Sequence, residues 1–303
     1  MKAVVSIFVF LIICKTASST CPVMYQGIKG HSACLAKSPN YISGSISADD
    51  KKLILADHNK YRASVDPPAC NMLKLYWNDD LAYVAQKWAE NCKFEHEKSF
   101  YRYIPGSLTV GQNIGQGFAN WQVCISKWYA EKKDFVYNGT VDSIKVGHFT
   151  QLVWEKTSMI GCGYAKCKGS SLYVCNYGPS GNIGSGLNQP YEKCNEAKPL
   201  KDCNGKFCKN DGVMKSDSCE CKCKPYRHIY GPDCSTNCSI KDEGACVTSF
   251  NEKSCTYSNV PAMCPWLCKA CPFIYQKKSG TAVFKHSMMS TLSLMVLILM
   301  VMT

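Results

Sequence analysis

Cysteine is the side chain with the most chemistry to offer in this 303-residue chain, which has 22 of them. A thiol can act as a nucleophile, a metal ligand or half of a disulfide, and spacing separates these roles. Thirteen cysteines fall between Cys194 and Cys271, with short intervals at Cys219, Cys221 and Cys223. At that density they read first as a disulfide framework made in an oxidising compartment, ahead of a metal cluster. No Gly-x-Ser-x-Gly elbow and no His-Glu-x-x-His helix occurs in the chain, so neither common hydrolytic signature is present. The run from Gly111 to Gly117 is glycine-dense, but no Lys-Ser or Lys-Thr continues it as a phosphate loop requires. Turn-forming glycine is the expectation there. Asn138-Gly139-Thr140 and Asn237-Cys238-Ser239 are acceptor sequences for N-glycosylation.

The ends of the sequence bear on where this chemistry takes place. Lys2, an apolar run from Ala3 to Cys14 and the small residues Ala17-Ser18-Ser19 have the order of a secretory signal, 1–19. Its apolar run is shorter than the roughly 20 residues of a membrane span. At the other end, residues 281–303 include a charge-free stretch from Met288 to Thr303, preceded by Ser279-Gly280-Thr281-Ala282 and a short polar break. That order suits a GPI-attachment signal, with a minimal transmembrane tail and a merely apolar secreted tail as the other readings. The formal charge is +12, or +9 without Lys2, Lys15 and Lys285 of the processed ends. Lysine and arginine are scattered along the chain, which disfavours nucleic acid as a partner. A general attraction for acidic surfaces such as anionic lipid or sulfated glycan remains.

Between the ends lie an extension at 20–48, a stretch at 49–190 with six cysteines, and the cysteine-rich remainder. The middle stretch is long enough to bury its own core. Asp49-Asp50 can cap a helix running to about Ser64, and Asn78 to Cys92 carries a stripe of Leu81, Ala85, Trp88, Ala89 and Cys92. Trp121 to Lys133 repeats that pattern. Ile160 to Cys167 and Ser171 to Tyr177 read as strands joined through Lys168-Gly169. Cys162 and Cys175 are equidistant from that turn, so a simple hairpin sets them opposite each other.

Two further runs name a scaffold: Gly147-His148-Phe149-Thr150-Gln151-Leu152-Val153-Trp154-Glu155-Lys156-Thr157 and Tyr173-Val174-Cys175-Asn176-Tyr177-Gly178-Pro179-Ser180-Gly181-Asn182. They resemble the signature motifs of the CAP superfamily, which includes cysteine-rich secretory proteins, insect antigen 5 and plant pathogenesis-related proteins. The resemblance implies an α+β fold, a three-layer α-β-α sandwich, with disulfides Cys92–Cys167 and Cys162–Cys175. It also implies a cleft of two His and two Glu. His96, Glu131 (in Trp128-Tyr129-Ala130-Glu131) and His148 match three of these positions, and Gln112 stands where the fourth carboxylate is expected. His96 and His148 are therefore the candidate metal ligands. No cofactor is required on this reading, and zinc binding, if present, is weak and should strengthen on Gln112→Glu.

Cys70 and Cys124 fall where such relatives usually lack cysteine, and their pairing with each other is the simplest expectation. Cys21–Cys34 is the remaining local pair, and Cys194 is the expected odd thiol or a link into the tail. Residues 194–234 resemble an EGF-like module, which would join Cys203–Cys219, Cys208–Cys221 and Cys223–Cys234. Residues 238–271 resemble an ShK-toxin-like domain, implying Cys238–Cys271, Cys246–Cys264 and Cys255–Cys268. A blocking toxin of that group carries a Lys-Tyr pair between its third and fourth cysteines, but Thr256 to Met263 contains no lysine. The functional expectation is a secreted or surface-tethered, non-enzymatic binding protein whose partner is an extracellular protein, an ion channel or a lipid. A diffusible channel modulator is the alternative, and a cleft-based peptidase a more distant one.

Overall fold

A computed structural model describes residues 21–257 and 259–271. The leading signal and the apolar tail expected from the sequence lie outside the described residues. Within them, no helix is long and apolar enough to cross a membrane.

The core is a sheet ordered β1 (Tyr41–Ser43), β4 (Met159–Cys167), β5 (Ser170–Gly178), β3 (Gly111–Gln116), and β2 (Tyr76–Trp77) also pairs with β4. The long hairpin β4–β5 sets Cys162 against Cys175, as the symmetric turn requires, and the two are bonded. Alternation along these strands divides the core into two apolar layers. On one face Ile160, Cys162, Tyr173, Cys175 and Tyr177 pack with helices α2 (Ala48–Ala63), α4 (Trp121–Ala130) and α5 (Ser143–Leu152). On the other, Ala165, Leu172 and Val174 pack with α3 (Asp79–Ala89). The result is a three-layer α-β-α sandwich.

Local sequence explains the helix starts. Ser47 rather than Asp49 caps α2: its side chain accepts from Asp50 N at 3.0 Å, and Asp50 answers by accepting from Ser47 N at 3.0 Å. Asn78 caps α3 through Leu81 N at 2.9 Å. Such caps typically contribute about 1 kcal/mol each. Helix α3 can lie directly on the sheet because Gly161 and Gly163 face it. A Cβ on either would overlap the backbone of Ala82 or Gln86.

The expectation of a glycine turn at 111–117 is corrected. Gly111–Gln116 is a buried strand, and only Gly117, with φ +74°, turns the chain. The other glycines are needed for space: a Cβ on Gly115 would lie 2.5 Å from Cys124 Sγ.

The expected pairing of Cys124 with Cys70 is also corrected. Cys124 is buried on α4 against β3 and is the free cysteine among the described residues. Cys70 is joined to Cys194. The backbone dictates this choice: Cys194 N donates to Pro68 O at 2.7 Å and Cys70 N to Glu192 O at 2.9 Å, so the two segments run side by side. Cys194 is thus not the odd thiol.

The N-terminal extension, with helix α1 (Val23–Gln26) and the disulfide Cys21–Cys34, packs Tyr25 and Ala33 beside Leu81 and Val84 of α3. Cys92–Cys167 ties the end of α3 to β4. Beyond Cys194 come two small cysteine-rich units. The first carries the hairpins β6 (Val213–Lys215) with β7 (Glu220–Lys222) and β8 (Ile229–Tyr230) with β9 (Ser235–Thr236). Its disulfides are Cys203–Cys219, Cys208–Cys221 and Cys223–Cys234. The second has α6 (Ala245–Thr248), α7 (Val260–Met263) and the disulfides Cys238–Cys271, Cys246–Cys264 and Cys255–Cys268.

Candidate functional site

Strand β3 is the free edge of the sheet, and its alternation builds the cleft. Consecutive residues Gln112 and Asn113 point to opposite faces, and each serves one histidine. Gln112 Nε2 donates to Asn176 Oδ1 at 3.0 Å, and Asn176 Nδ2 donates to Leu81 O at 3.4 Å. This chain of donors turns Gln112 Oε1 toward His96 Nδ1, 2.8 Å away. His96 must then carry its proton on Nδ1 and leave Nε2 as the free lone pair. Desolvation of the ring, only partly offset by the Gln112 hydrogen bond, holds the His96 pKa below its ordinary value although the residue as a whole is exposed, which favours the neutral form.

On the other face, Asn113 Nδ2 donates to His148 O at 3.0 Å and to Tyr177 OH at 3.2 Å. Tyr177 OH in turn donates to His58 Nε2 at 2.9 Å, since His58 Nδ1 is committed to Ile54 O at 2.7 Å. Glu131, just past the end of α4, accepts from His148 Nδ1 at 2.6 Å through one oxygen. Through the other it accepts from His148 N and Phe149 N at 2.9 and 3.0 Å. Trp128 stacks on the His148 ring, with centroids 5.8 Å apart. All four expected cleft residues are thus brought to one edge of the sandwich in two pairs, His96 with Gln112 and His148 with Glu131.

A zinc ion would find two imidazoles, each with Nδ1 held by an acceptor and Nε2 unengaged, which is the usual orientation of metal-bound histidine. Two ligands fall short of the three that protein zinc sites supply, and no group of three suitable residues exists among those described. His96 and His148 could hold the ion only with water or a bound partner completing its shell.

Glu97 was missed in the sequence. It follows His96 directly and is buried, with Oε1 accepting from Ser32 Oγ at 3.1 Å and lying 3.4 Å from Gln112 Nε2. Arg102 approaches its other oxygen at 3.8 Å and binds the backbone carbonyls of Glu97 and Val110. Burial raises the Glu97 pKa, and Arg102 opposes the shift. A carboxylate therefore stands behind the amide at 112. The signal was an acid beside a cleft histidine with an arginine five residues on. Of the two glycosylation asparagines, Asn138 is exposed at a positive-φ turn, whereas Asn237 is half-buried beside Cys238.

Fold, staples and cleft together define a disulfide-bonded extracellular α-β-α protein with cysteine-rich appendages. The model of the Cysteine-rich secretory protein family, CAP, matches residues 55–177, which include all four cleft positions. The chain is 31% identical over 297 residues to "Venom allergen 5" of Tityus serrulatus, covering 81% of this chain and 70% of that one. It is 35% identical over 262 residues to "Cysteine-rich venom protein Mr30" of Conus marmoreus, covering 80% and 87%. The solved structure of Schistosoma mansoni venom allergen-like protein 4 is 29% identical, with TM-score 0.43, and covers 49% of this chain and 97% of that one. The chain belongs to the CAP family of cysteine-rich secretory proteins.

Proposed function

We propose that this protein is a secreted, non-enzymatic binding protein, tethered to a cell surface through its apolar tail, that engages an extracellular protein, a channel or a lipid. The observation that carries this reading is the state of Glu131. Its two oxygens accept from three N–H donors of α5, so its hydrogen bonds go to ordering that helix and the His148 ring. The second carboxylate that acid–base chemistry would use is an amide at Gln112, and Glu97 is walled in behind it.

The C-terminal units, read as EGF-like and ShK-like modules, add recognition surface. They are docked on the sandwich through Thr109 Oγ1 to Asp211 Oδ1 at 2.6 Å, Lys74 to Asp202 at 2.8 Å, and Phe100 against the cluster around Cys255. The venom names of two relatives favour a diffusible modulator as the second reading, and the apolar tail opposes it.

The test compares the purified protein with His148→Ala, which removes a cleft imidazole. Labelled protein should bind cells saturably, and neither form should cleave a peptide library, with or without added zinc. Cleavage by the wild type that disappears in His148→Ala would overturn the proposal.

A further inference from the structure

Away from the cleft, three segments distant in sequence converge on an open groove of about 700 Å³. Lys29 comes from the N-terminal extension and Lys98 from the start of the turn Ser99–Arg102. Lys253 and Lys269 come from the last cysteine-rich unit, and the aromatic rings of Tyr101 and Tyr257 stand among them. The one carboxylate in the lining is Glu252, paired with Lys269 at 3.0 Å. Lys29, Lys98 and Lys253 are exposed and have no ion-pair partner among the described residues. Tyr257 is 65% exposed, so its ring face is open to a ligand lying in the groove. Scattered in the sequence, these lysines give no basic motif; the fold makes one.

We propose that this groove binds a sulfated or otherwise acidic oligosaccharide. Lysine ammonium groups are compact point charges suited to sulfate and carboxylate oxygens, and the ring faces between them can lie against the apolar faces of sugar rings. Other polyanions fit less well. A flat bilayer cannot enter a concave groove. An acidic peptide would gain most from pairing with a strand edge, but the lining here comes from loops and tight turns. This site is separate from the His96–His148 cleft and does not depend on the function proposed for it.

The experiment measures binding of the full mature protein to a heparin-derived octasaccharide across salt from about 50 to about 300 mM, where screening lengths change most usefully. Lys29→Ser/Lys98→Ser/Lys253→Ser should weaken binding by about tenfold or more at low salt and flatten its salt dependence. Lys133→Ser/Lys166→Ser/Lys168→Ser, with the same loss of charge elsewhere, should stay within about twofold of wild type. Tyr257→Ala should weaken binding without changing the salt slope, and His148→Ala should leave it untouched. Equal losses in the two lysine triples, or no loss in the groove triple, would overturn the proposal. So would tighter, groove-dependent binding of phosphatidylserine vesicles or of polyglutamate. All substituted lysines are exposed, so thermal midpoints should match wild type.

Discussion

At the scale of single residues, the structure changes the meaning of Gln112. From the sequence it is a missing carboxylate whose restoration should improve a zinc site. In the fold it is the donor that keeps Asn176 aligned and lies 3.4 Å from the buried oxygen of Glu97. Gln112→Glu would set two carboxylates against each other, and like charges in one site force one of them to hold its proton. A carboxyl whose folded pKa is raised contributes stability that is present in acid and lost as pH rises through that pKa. Gln112→Glu should therefore cost more at pH 8 than at pH 5, by about 2 kcal/mol. The swap Gln112→Glu/Glu97→Gln should recover most of the difference, and urea unfolding at both pH values measures it. A single variant with equal cost at both would show that the two side chains do not share charge. His96 titrates in the opposite sense: its lowered pKa contributes stability above about 6.5 that is lost as pH falls through the folded value.

At the scale of elements, amphipathic periodicity made α2, α3 and α4 legible, and the turn at Lys168-Gly169 made the central hairpin legible down to its register. Two elements were not. Strand β3 reads Gly-Gln-Asn-Ile-Gly-Gln, and its strand character comes from pairing with β5 and from the lack of room for side chains at Gly111 and Gly115, a tertiary constraint. Helix α5 lacks a clear apolar stripe because its buried face mixes Val146, Phe149 and Leu152 with the buried polar Thr150 and Gln151, and Glu131 anchors its backbone as well. The cleft was half legible for the same reason: resemblance found His96, Gln112, Glu131 and His148, whereas Glu97 and Asn176 matter through what they touch. Tight layer packing predicts that Gly163→Ala will cost about 3 kcal/mol or more, since the added methyl meets helix backbone that cannot move alone. A thermal midpoint close to wild type would refute it. The Cys124 environment predicts a thiol that is silent toward Ellman's reagent in the native protein and titrates as one equivalent after unfolding without reductant, because burial raises its pKa. Non-reduced peptide mapping should also recover Cys70 linked to Cys194, and a Cys70–Cys124 peptide would contradict the structure.

At the scale of the whole molecule, the proposed tether is open to a direct test. Cells expressing the full chain should release it on treatment with phosphatidylinositol-specific phospholipase C, and a chain ending at Gly280 should appear in the medium without treatment. Retention of the full chain after the enzyme would exclude a GPI anchor. The Cys70–Cys194 bond has a further consequence. It closes a covalent loop with a sequence separation of 124 residues, and Cys92–Cys167 ties that loop across its middle. The extension and the two cysteine-rich units therefore hang from adjacent points on one ring. A protease that clips an exposed loop inside the ring, such as the one bearing Asn138, produces a nicked protein whose fragments cannot diffuse apart. Such cleavage would be invisible on a non-reducing gel and appear as two chains only after reduction, and the surface presented to a partner would survive a cut that severs the chain.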